Sequence, residues 1–433
     1  MPTRFDPAGP LRGALRPPAD KSISHRTALI AAMGEGETTI EGYLDSADTR
    51  STLAAVAACG AEVEGVGPDG VAPEVKVRGV GLRGARAASI EVGNAGTLLR
   101  LLPGWLAGQP QGRWTLDGDD SIRRRPVDRV AEPLGLMGAQ LSCRDGRLPP
   151  LEVEAAPLRG IEYELPVASA QVKSCLLFAG LLAEGPTWVG ERLRSRDHTE
   201  RMLAAAGAHV TWLRDGVEVR PAEGVELGEM AVPADFSSAA FFLVGALLVP
   251  GSEVVLEEVG VNPTRTGLLR ILERMGAEIE VEPLPGARGG EPLATLRVRV
   301  AALSATDVGG GEIPLAIDEL PLVALAACFA EGTTTICDAE ELRRKESDRV
   351  ATTCEALAAL GASVEPTEDG MVVEGDDDLR GGLIESHGDH RIAMLGAIAG
   401  LASREGVTVE GMDAASVSYP RFEADLASLL GGA

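Results

Sequence analysis

The chain has 433 residues, yet it has few aromatic residues and few lysines, and it lacks long hydrophobic runs. Aromatic residues make up 3% of the chain, and 65 acidic residues exceed 40 basic ones, which gives a formal net charge of −25. This charge argues against a nucleic acid or an anionic membrane as partner. The longest apolar runs, such as 239–249, are shorter than the ~18 residues that a membrane-spanning helix needs.

Six cysteines are present, and none forms a CxxC pair. Most lie in apolar helical patterns, which is typical of buried, reduced thiols in a cytosolic protein. The first residues, MPTRFDPAGPLRG, lack the apolar core of a signal peptide. We therefore expect a cytoplasmic protein.

One pattern recurs along the chain: an apolar helix, a β-branched strand, a charged loop, a second helix, a Gly-Ala pair and another strand. In its clearest copy it predicts a helix over Leu322–Ala330 that ends at Gly332, a strand over Thr333–Ile336 and a second helix over Arg349–Leu360. The Gly-Ala marker, or its degenerate form, begins at Gly60, Gly138, Gly207, Gly276, Gly361 and Gly431. Intervals of 69 residues (207−138) to 85 residues (361−276) exceed a solenoid period of about 20–50. The pattern predicts an α/β fold of six repeated units.

A chain of this length predicts about two domains of ~200 residues. Six units divide into three per domain if the chain crosses from one domain to the other shortly before Asp235. Asp235 itself fits a helix N-cap, whereas Asn262 and Arg265 in this fourth unit look isolated.

Polar and charged residues gather at the starts of the repeat helices. Near residue 21, with Asp20 or Ser22 as N-cap, an ammonium, a hydroxyl, a guanidinium and free N–H groups share one helical turn, which fits a phosphate or carboxylate site. An alternative is a capped surface helix with incidental charges. Further polar helix starts carry Gly96, Ser169 to Ser174, Asp318, Lys345 to Arg349, and His387 to Arg391.

Several of these residues have simpler interpretations. Asp318 fits an N-cap, and Glu346 fits an i, i+3 ion pair with Arg349. His198 fits a capping or salt-bridge role. Two histidines near residue 390 raise the possibility of zinc, but a third ligand is uncertain and the adjacent Arg391 disfavours a cation, so an anion ligand is the preferred interpretation of Arg391.

The motifs KSISHR, GNAGT, RRP, SAQVKS, SRDHTERM, IDELP, AEELRRKESDR and GDHRIAM follow in this order from residue 21 to residue 394. In this set the chain resembles the 5-enolpyruvylshikimate-3-phosphate (EPSP) synthases over nearly its whole length. The resemblance implies an enzyme of aromatic amino acid biosynthesis. It transfers the enolpyruvyl group of phosphoenolpyruvate to the 5-hydroxyl of shikimate 3-phosphate by addition and elimination, without metal or cofactor.

The resemblance also implies a two-domain inverted α/β barrel with six βαβαββ-type units. Three units would lie in a domain of residues 20–233 and three in a domain of residues 1–19 plus 234–433, with the active site in the interdomain cleft. We expect a monomer that closes around its substrates.

The family's functional residues carry over to matching positions. Shikimate 3-phosphate would contact Lys21, Ser22, Arg26, Ser169, Ala170, Gln171, Arg196, Asp318 and Lys345. Phosphoenolpyruvate would contact Lys21, Gly96, Arg125, Gln171, Arg349 and Arg391. The catalytic residues would be Asp318 as proton acceptor, Glu346 as proton relay at the methylene carbon, and Lys21.

The sequence departs from the family pattern at Val417, where some members have Lys, so one phosphoenolpyruvate contact is not carried over. Gly96 is the form associated with glyphosate sensitivity, which predicts that glyphosate competes with phosphoenolpyruvate and that Gly96→Ala weakens it. The main alternative is a UDP-N-acetylglucosamine 1-carboxyvinyltransferase, whose usual loop cysteine corresponds to Asp120 here. An RNA 3′-phosphate cyclase is disfavoured by the negative charge, and a non-catalytic anion-binding protein would not need Asp318 and Glu346.

Overall fold

The structure is a computed structural model that describes residues 2–67, 70–285, 288–376 and 378–431. The chain forms two compact units. Unit 1 consists of Met1–Pro18, Ala234–Pro285 and Pro292–Ala433, and unit 2 consists of Ala19–Pro233 and Gly286–Glu291. Gly432, the last residue of the predicted marker series, lies outside the described residues.

The described helices are numbered in chain order. They are α1 Lys21–Met33, α2 Ala47–Ala58, α3 Gly96–Ala107, α4 Asp128–Leu136, α5 Ala170–Leu182, α6 His198–Ala205, α7 Phe236–Leu248, α8 Gly267–Arg274, α9 Ile313–Ala316, α10 Leu320–Ala327, α11 Arg349–Ala359, α12 His390–Ala402 and α13 Phe422–Leu430. None of these helices combines the length and the apolar character needed to cross a membrane.

The described strands are likewise numbered in chain order. They are β1 Thr3–Phe5, β2 Arg12–Leu15, β3 Glu37–Glu41, β4 Glu62–Gly67, β5 Gly70–Arg78, β6 Ser89–Glu91, β7 Arg113–Asp117, β8 Gln140–Arg144, β9 Leu148–Glu154, β10 Glu162–Glu164, β11 Thr187–Gly190, β12 Val210–Trp212, β13 Gly216–Val219, β14 Glu229–Ala231, β15 Glu253–Gly260, β16 Ile279–Leu284, β17 Leu293–Arg299, β18 Leu303–Ser304, β19 Asp307–Val308, β20 Ala330–Ile336, β21 Ser363–Pro366, β22 Met371–Gly375, β23 Gly382–Glu385 and β24 Val407–Glu410.

The βαβαββ repeat is clearest in the sheet β6-β7-β9-β8, which lies in unit 2. β6 leads through α3 to its parallel neighbour β7, and α4 then leads to the antiparallel hairpin β8–β9, whose second strand pairs with β7. The sheets β10-β11-β13-β12, β14-β3-β5-β4 and β16-β17-β15-β2 have the same order of pairing. The predicted α/β fold of repeated βαβαββ units is confirmed.

Two sheets are completed by strands that are distant in sequence. β14 is the parallel partner of β3 in unit 2, and β2 is the parallel partner of β15 in unit 1. In the last repeat, β1 pairs with β24 from the side opposite β23. Each unit therefore closes its first repeat with a strand from outside the contiguous βαβαββ segment.

The first helix of each repeat is buried on nearly all sides. Every residue of α7 is buried, as are eleven residues of α5 and twelve of α12. A helix that is hydrophobic all round belongs in a core. The buried apolar residues form one cluster in unit 1 and another in unit 2. The polar first turns of these helices are therefore held on rigid elements.

The predicted Gly-Ala helix endings are present, with a positive φ at the glycine, in the five copies at Gly60, Gly138, Gly207, Gly276 and Gly361. Gly361 has φ +98°, its N–H donates to the Ala358 carbonyl (3.0 Å), and the Ala362 N–H donates to the Leu357 carbonyl (3.1 Å). This is the hydrogen-bond pattern of a Schellman motif, in which glycine tolerates the left-handed conformation. The prediction was wrong at the preceding helix. α10 ends at Ala327, and Ala330 to Gly332 belong to β20, where Gly332 pairs with Gly375.

Candidate active site

Capping aspartates fix the polar helix starts in unit 1. The Asp235 carboxylate accepts a hydrogen bond from the Ser237 N–H (3.0 Å) at the start of α7, as predicted. Asp389 accepts one from the Arg391 N–H (2.9 Å) at the start of α12. A side-chain oxygen at the N-cap satisfies a backbone donor that has no partner within the helix. The caps therefore fix the direction in which each helix enters its polar first turn.

Asp318 lies at the centre of a group of cations. Its Oδ1 is 3.1 Å from Nη1 of Arg349 and 3.4 Å from Nζ of Lys345. Its Oδ2 is 3.6 Å from Nη1 of Arg265 and 3.8 Å from Nη2 of Arg391. The Asp318 side chain is only 11% exposed. Asp318 caps neither neighbouring helix, so the N-cap interpretation is wrong.

Arg349 links three carboxylates. Besides Asp318, its guanidinium contacts Glu346 (Nη2 to Oε2, 2.6 Å) and Asp389 (Nε to Oδ2, 2.8 Å). Burial alone would lower the pKa of Arg349, but Glu346, Asp389 and Asp318 raise it above its usual value. Burial would raise the pKa of Asp389, and the Arg349 charge outweighs that effect and lowers it. The i, i+3 pair of Glu346 and Arg349 is present, with Glu346 just before α11.

Arg265 is not isolated, which corrects the sequence interpretation. Its guanidinium contacts Asp235 (3.3 Å), Glu319 (3.5 Å) and the Ser237 hydroxyl, in addition to Asp318. Arg391 donates to the Ser237 Oγ (3.0 Å) and to the Asp318 carbonyl (3.0 Å). The name aspartate cluster is used below for Asp235, Ser237, Arg265, Asp318, Glu319, Lys345, Glu346, Arg349, Asp389 and Arg391.

A second set of polar side chains lies at the start of α1 in unit 2. Asp20 is the N-cap and accepts from the Ile23 N–H (2.8 Å), so Lys21 and Ser22 occupy the first turn. The Lys21 Nζ is 3.3 Å from Oδ2 of Asp48, and the Lys21 side chain is 22% exposed. The ammonium group is therefore partly accessible at a helix N-terminus, where an anion is favoured.

Arg26 is buried one turn further along α1. It donates to the Thr199 hydroxyl (2.7 Å), the Ser174 hydroxyl (3.0 Å) and the Ser22 carbonyl (3.0 Å). Burial is the main reason that the pKa of Arg26 falls to about 10, and the neighbouring Arg196 charge also lowers it. Arg26 connects α1, α5 and α6, and Arg196 in the loop before α6 lies within electrostatic range of it.

The start of α5 contributes further candidates. Ser169 is the N-cap and accepts from the Val172 N–H (3.4 Å), which leaves Ala170 and Gln171 in the first turn. Gln171 accepts from Arg100 Nη1 (2.9 Å) and donates to the Thr97 hydroxyl (3.1 Å). Arg100 and Thr97 both belong to α3. These bonds orient the Gln171 amide toward the start of α3.

Arg125 extends toward the same end of α3. Its Nη2 donates to Oδ1 of Asn94 (2.8 Å) and to the Ser121 hydroxyl (3.3 Å). A Cβ added at Gly96 would lie 2.7 Å from Arg125 Nη1, so only glycine leaves the guanidinium in this position. The name basic cluster is used below for Lys21, Ser22, Arg26, Gly96, Arg125, Ser169, Ala170, Gln171 and Arg196.

The zinc hypothesis finds no support at His387 and His390. Among the residues that the structure describes, no group of three or more His, Cys, Asp and Glu side chains is arranged to hold a metal ion. The His198 Nδ1 lies 2.8 Å from Oε1 of Glu291, in line with the salt-bridge interpretation. The sequence analysis did not propose Arg265, Ser237, Glu319, Asp48 or Thr199 as site residues. For Ser237 and Thr199 the sequence did hold a signal, because each is a hydroxyl residue at a helix start and lies within four residues of a predicted candidate or cap.

A repeat-built α/β protein with charged helix starts of this kind fits an enzyme that acts on small anions. The chain matches the family model described as EPSP synthase (3-phosphoshikimate 1-carboxyvinyltransferase) over residues 5–426. It is 51% identical over 426 residues to the 3-phosphoshikimate 1-carboxyvinyltransferase of Gloeobacter violaceus, covering 97% of each chain. It is 49% identical over 419 residues to that of Alkalilimnicola ehrlichii, covering 96% of this chain and 93% of the relative.

A solved EPSP synthase from Acinetobacter baumannii superposes with a TM-score of 0.88 at 41% identity and covers 99% of this chain and 98% of its own. The chain belongs to the EPSP synthase family. The predicted activity, transfer of a 1-carboxyvinyl group in aromatic amino acid biosynthesis, is confirmed at the level of the family.

Proposed function

We propose that the basic cluster binds the two anionic substrates, shikimate 3-phosphate and phosphoenolpyruvate, and that the aspartate cluster transfers protons at the 5-hydroxyl of shikimate 3-phosphate and at the methylene carbon of phosphoenolpyruvate. Lys21, Ser22, Arg26, Ser169, Ala170, Gln171 and Arg196 would receive the phosphate and ring of shikimate 3-phosphate, and Asp318 and Lys345 its hydroxyls. Phosphoenolpyruvate would contact Lys21, Gly96, Arg125, Gln171, Arg349 and Arg391.

The chemistry of the basic cluster supports this division. A phosphate needs several donors and a positive field, and a helix N-terminus with fixed cations supplies both. Lys21 lies in the first turn of α1, and Ser169 caps α5. Arg26 is held rigidly, and its charge adds to that of Arg196. Local positive charge of this kind offsets the net charge of −25 where an anion must bind.

The reaction requires a base and an acid. The 5-hydroxyl oxygen forms a bond to C2 of phosphoenolpyruvate as the hydroxyl loses its proton and the C3 methylene gains one. Phosphate then leaves from C2 as C3 loses a proton, which restores the double bond. We assign the first deprotonation to Asp318 and the transfer at C3 to Glu346, with Lys21 assisting. General acid–base catalysis contributes about 10²–10⁴-fold to such steps.

The observation that carries the proposal is the position of Asp318 among Lys345, Arg349, Arg265 and Arg391. Neighbouring cations favour the ionised form of a carboxyl group, which is the form that accepts a proton. The same cations can bind an incoming carboxylate or phosphate. A protein that merely binds anions would not need a carboxylate at the centre of its cations.

The test is phosphate release from phosphoenolpyruvate, with shikimate 3-phosphate or UDP-N-acetylglucosamine as acceptor. We expect release only with shikimate 3-phosphate. Release only with the nucleotide sugar would refute the proposed acceptor while leaving the enolpyruvyl transfer intact. Arg196→Ala and Arg125→Ala then separate the two substrates, because the first should raise the KM for shikimate 3-phosphate and the second the KM for phosphoenolpyruvate.

We also propose that the protein acts as a cytoplasmic monomer. All six cysteines are free thiols, four of them buried, which suits a reducing compartment. Light scattering coupled to size exclusion should give a mass near 44.9 kDa. A mass of twice that value, unchanged on dilution, would contradict the monomer.

A further inference from the structure

Lys173 is a buried lysine to which the family resemblance assigns no role. It is one of four lysines among 40 basic residues, and its side chain is 1% exposed. A compact ammonium group with three donors suits a site that a planar guanidinium would not fill. Burial alone would lower the pKa of Lys173, but Glu200 and Glu191 outweigh it and raise the pKa, so the group is charged at neutral pH.

The Lys173 ammonium group connects three segments of unit 2. Its Nζ lies 2.7 Å from Oε1 of Glu191, 2.8 Å from Oε1 of Glu200 and 3.4 Å from the Ser195 carbonyl oxygen. Glu191 follows β11, Glu200 lies in the first turn of α6, and Lys173 lies in the first turn of α5. One ammonium group thus joins the start of α5 to the start of α6.

Glu191 holds the loop before α6 through its other carboxylate oxygen. Its Oε2 accepts from the Ser195 N–H (3.1 Å) and from the Ser195 hydroxyl (2.6 Å). Ser195 is buried and immediately precedes Arg196. Since the backbone of Ser195 is fixed by Lys173 and Glu191, the starting point of the Arg196 side chain is fixed as well.

We propose that Lys173 and Glu191 are positioning residues for shikimate 3-phosphate. The pair holds Arg196 at a fixed distance from Ser169, Ala170 and Gln171 at the start of α5. The inference rests on the proposed function, in which these groups bind the same substrate. Preorganised ligands lower the cost of ordering side chains on binding, so the pair acts through substrate affinity.

Charge and position make opposite predictions for Glu191→Ala, which makes this variant a sharp test. Removing the Glu191 carboxylate makes the surroundings of Lys173 and Ser195 more positive by one charge. By charge alone the variant should bind a phosphate more tightly. If Glu191 instead acts by positioning Arg196, the variant should bind the phosphate less tightly, because Ser195 loses two hydrogen bonds and the backbone next to Arg196 is no longer held in place.

We expect Glu191→Ala to raise the KM for shikimate 3-phosphate about tenfold or more, the scale of a lost charge-assisted hydrogen bond. The kcat and the KM for phosphoenolpyruvate should change less than about threefold. Glu191→Gln keeps an acceptor for Ser195, so its KM should lie between those of the wild type and Glu191→Ala. Glu154→Ala is the matched control, because it removes a carboxylate of unit 2 from an exposed pair with Arg113 (2.8 Å).

A double-mutant cycle with Arg196→Ala decides the route of the effect. If Glu191 acts through Arg196, the double variant should be no worse than Arg196→Ala alone. The inference would be overturned if the KM for shikimate 3-phosphate fell or stayed constant in both Glu191→Ala and Glu191→Gln. It would also be overturned if the effects of the two substitutions added in the cycle. Either result would leave the proposed function in place. An unchanged KM in Arg196→Ala would instead refute the proposed role of Arg196, and the inference with it.

Discussion

Replacing Asp318 by asparagine separates catalysis from binding, because the side chain keeps its shape and loses its charge. The aspartate cluster contains five carboxylates and four cations, which sum to −1: Asp235, Asp318, Glu319, Glu346 and Asp389 against Arg265, Lys345, Arg349 and Arg391. The substitution brings this sum to zero. The cluster therefore becomes a better environment for an anion even as it loses its proposed base.

The expected loss of rate can be estimated from the proton transfer. A positioned general base contributes about 10²–10⁴-fold, which corresponds to about 2.7–5.4 kcal/mol of activation free energy. We expect kcat of Asp318→Asn to fall within this range. The KM for phosphoenolpyruvate should not rise, because Arg349 and Arg391 lose a competing carboxylate.

The cost in folding stability should be smaller than the cost in rate. Among its contacts, Asp318 accepts a hydrogen bond from Arg349 (3.1 Å) and lies 3.4 Å from Lys345. Losing such charge-assisted contacts costs about 1–3 kcal/mol, and the asparagine oxygen retains an acceptor, so we expect the lower end of that range. Denaturant unfolding measures this cost independently of activity.

The assay is steady-state phosphate release with both substrates varied, together with a direct titration of phosphoenolpyruvate in the presence of shikimate 3-phosphate. A kcat within threefold of the wild type would refute Asp318 as the proton acceptor. A large rise in KM at unchanged kcat would show instead that Asp318 serves binding alone.

Three further predictions concern a steric, a catalytic and a titrating group. Gly96→Ala should displace the Arg125 guanidinium and so raise both the KM for phosphoenolpyruvate and the inhibition constant of glyphosate. Folding stability should change little, because the atom nearest to the new Cβ is the end of a flexible side chain. An unchanged inhibition constant would contradict this prediction. Glu346→Gln should lower kcat by about 10²–10⁴-fold and slow the incorporation of solvent deuterium at C3, measured by mass spectrometry; incorporation at the wild-type rate would exclude Glu346 as the relay. His25 is buried and its pKa falls to about 3, chiefly through desolvation, so the unfolded state binds a proton first as the pH falls below about 6.5. Its contribution to stability is complete above that pH, and about 2 kcal/mol of it is lost by pH 5. The free energy of unfolding of His25→Gln should therefore fall less between pH 7 and pH 5 than that of the wild type, by this amount. An equal fall in both proteins would refute the role of His25, and His387→Gln provides the control.

The sequence predicted well those features that depend on neighbours along the chain. A cap such as Asp235 bonds to an N–H two residues away, and the helix ending at Gly361 depends on a glycine with φ +98°. Both are properties of short segments, so residue type and spacing are sufficient to predict them. Repetition in six copies strengthened each weak local signal, which is why the order of helices and strands could be predicted.

The end of α10 shows where local pattern fails. Leu322–Ala330 is apolar throughout, and an apolar run alone does not separate a buried helix from a buried strand. The structure begins the helix earlier, at Leu320, with Pro321 in the first turn. It ends the helix at Ala327 because Ala330 pairs with Leu303 and Gly332 with Gly375. Pairing with distant strands decided the boundary, and no residue within the segment indicates it.

The partners of Arg265 could not be predicted from the sequence either, because they too lie in segments that are distant along the chain. Arg265 contacts Asp235, thirty residues earlier, and Asp318 and Glu319, more than fifty residues later. Each carboxylate separately resembles a helix cap or a surface charge. Only when α7 and α10 pack in one core does a buried arginine become necessary, because carboxylates this deeply buried are costly without a cation. The packing of the repeats thus creates the need for a cation at Arg265. The same packing brings Asp318 close to the cations on which its proposed role in catalysis depends.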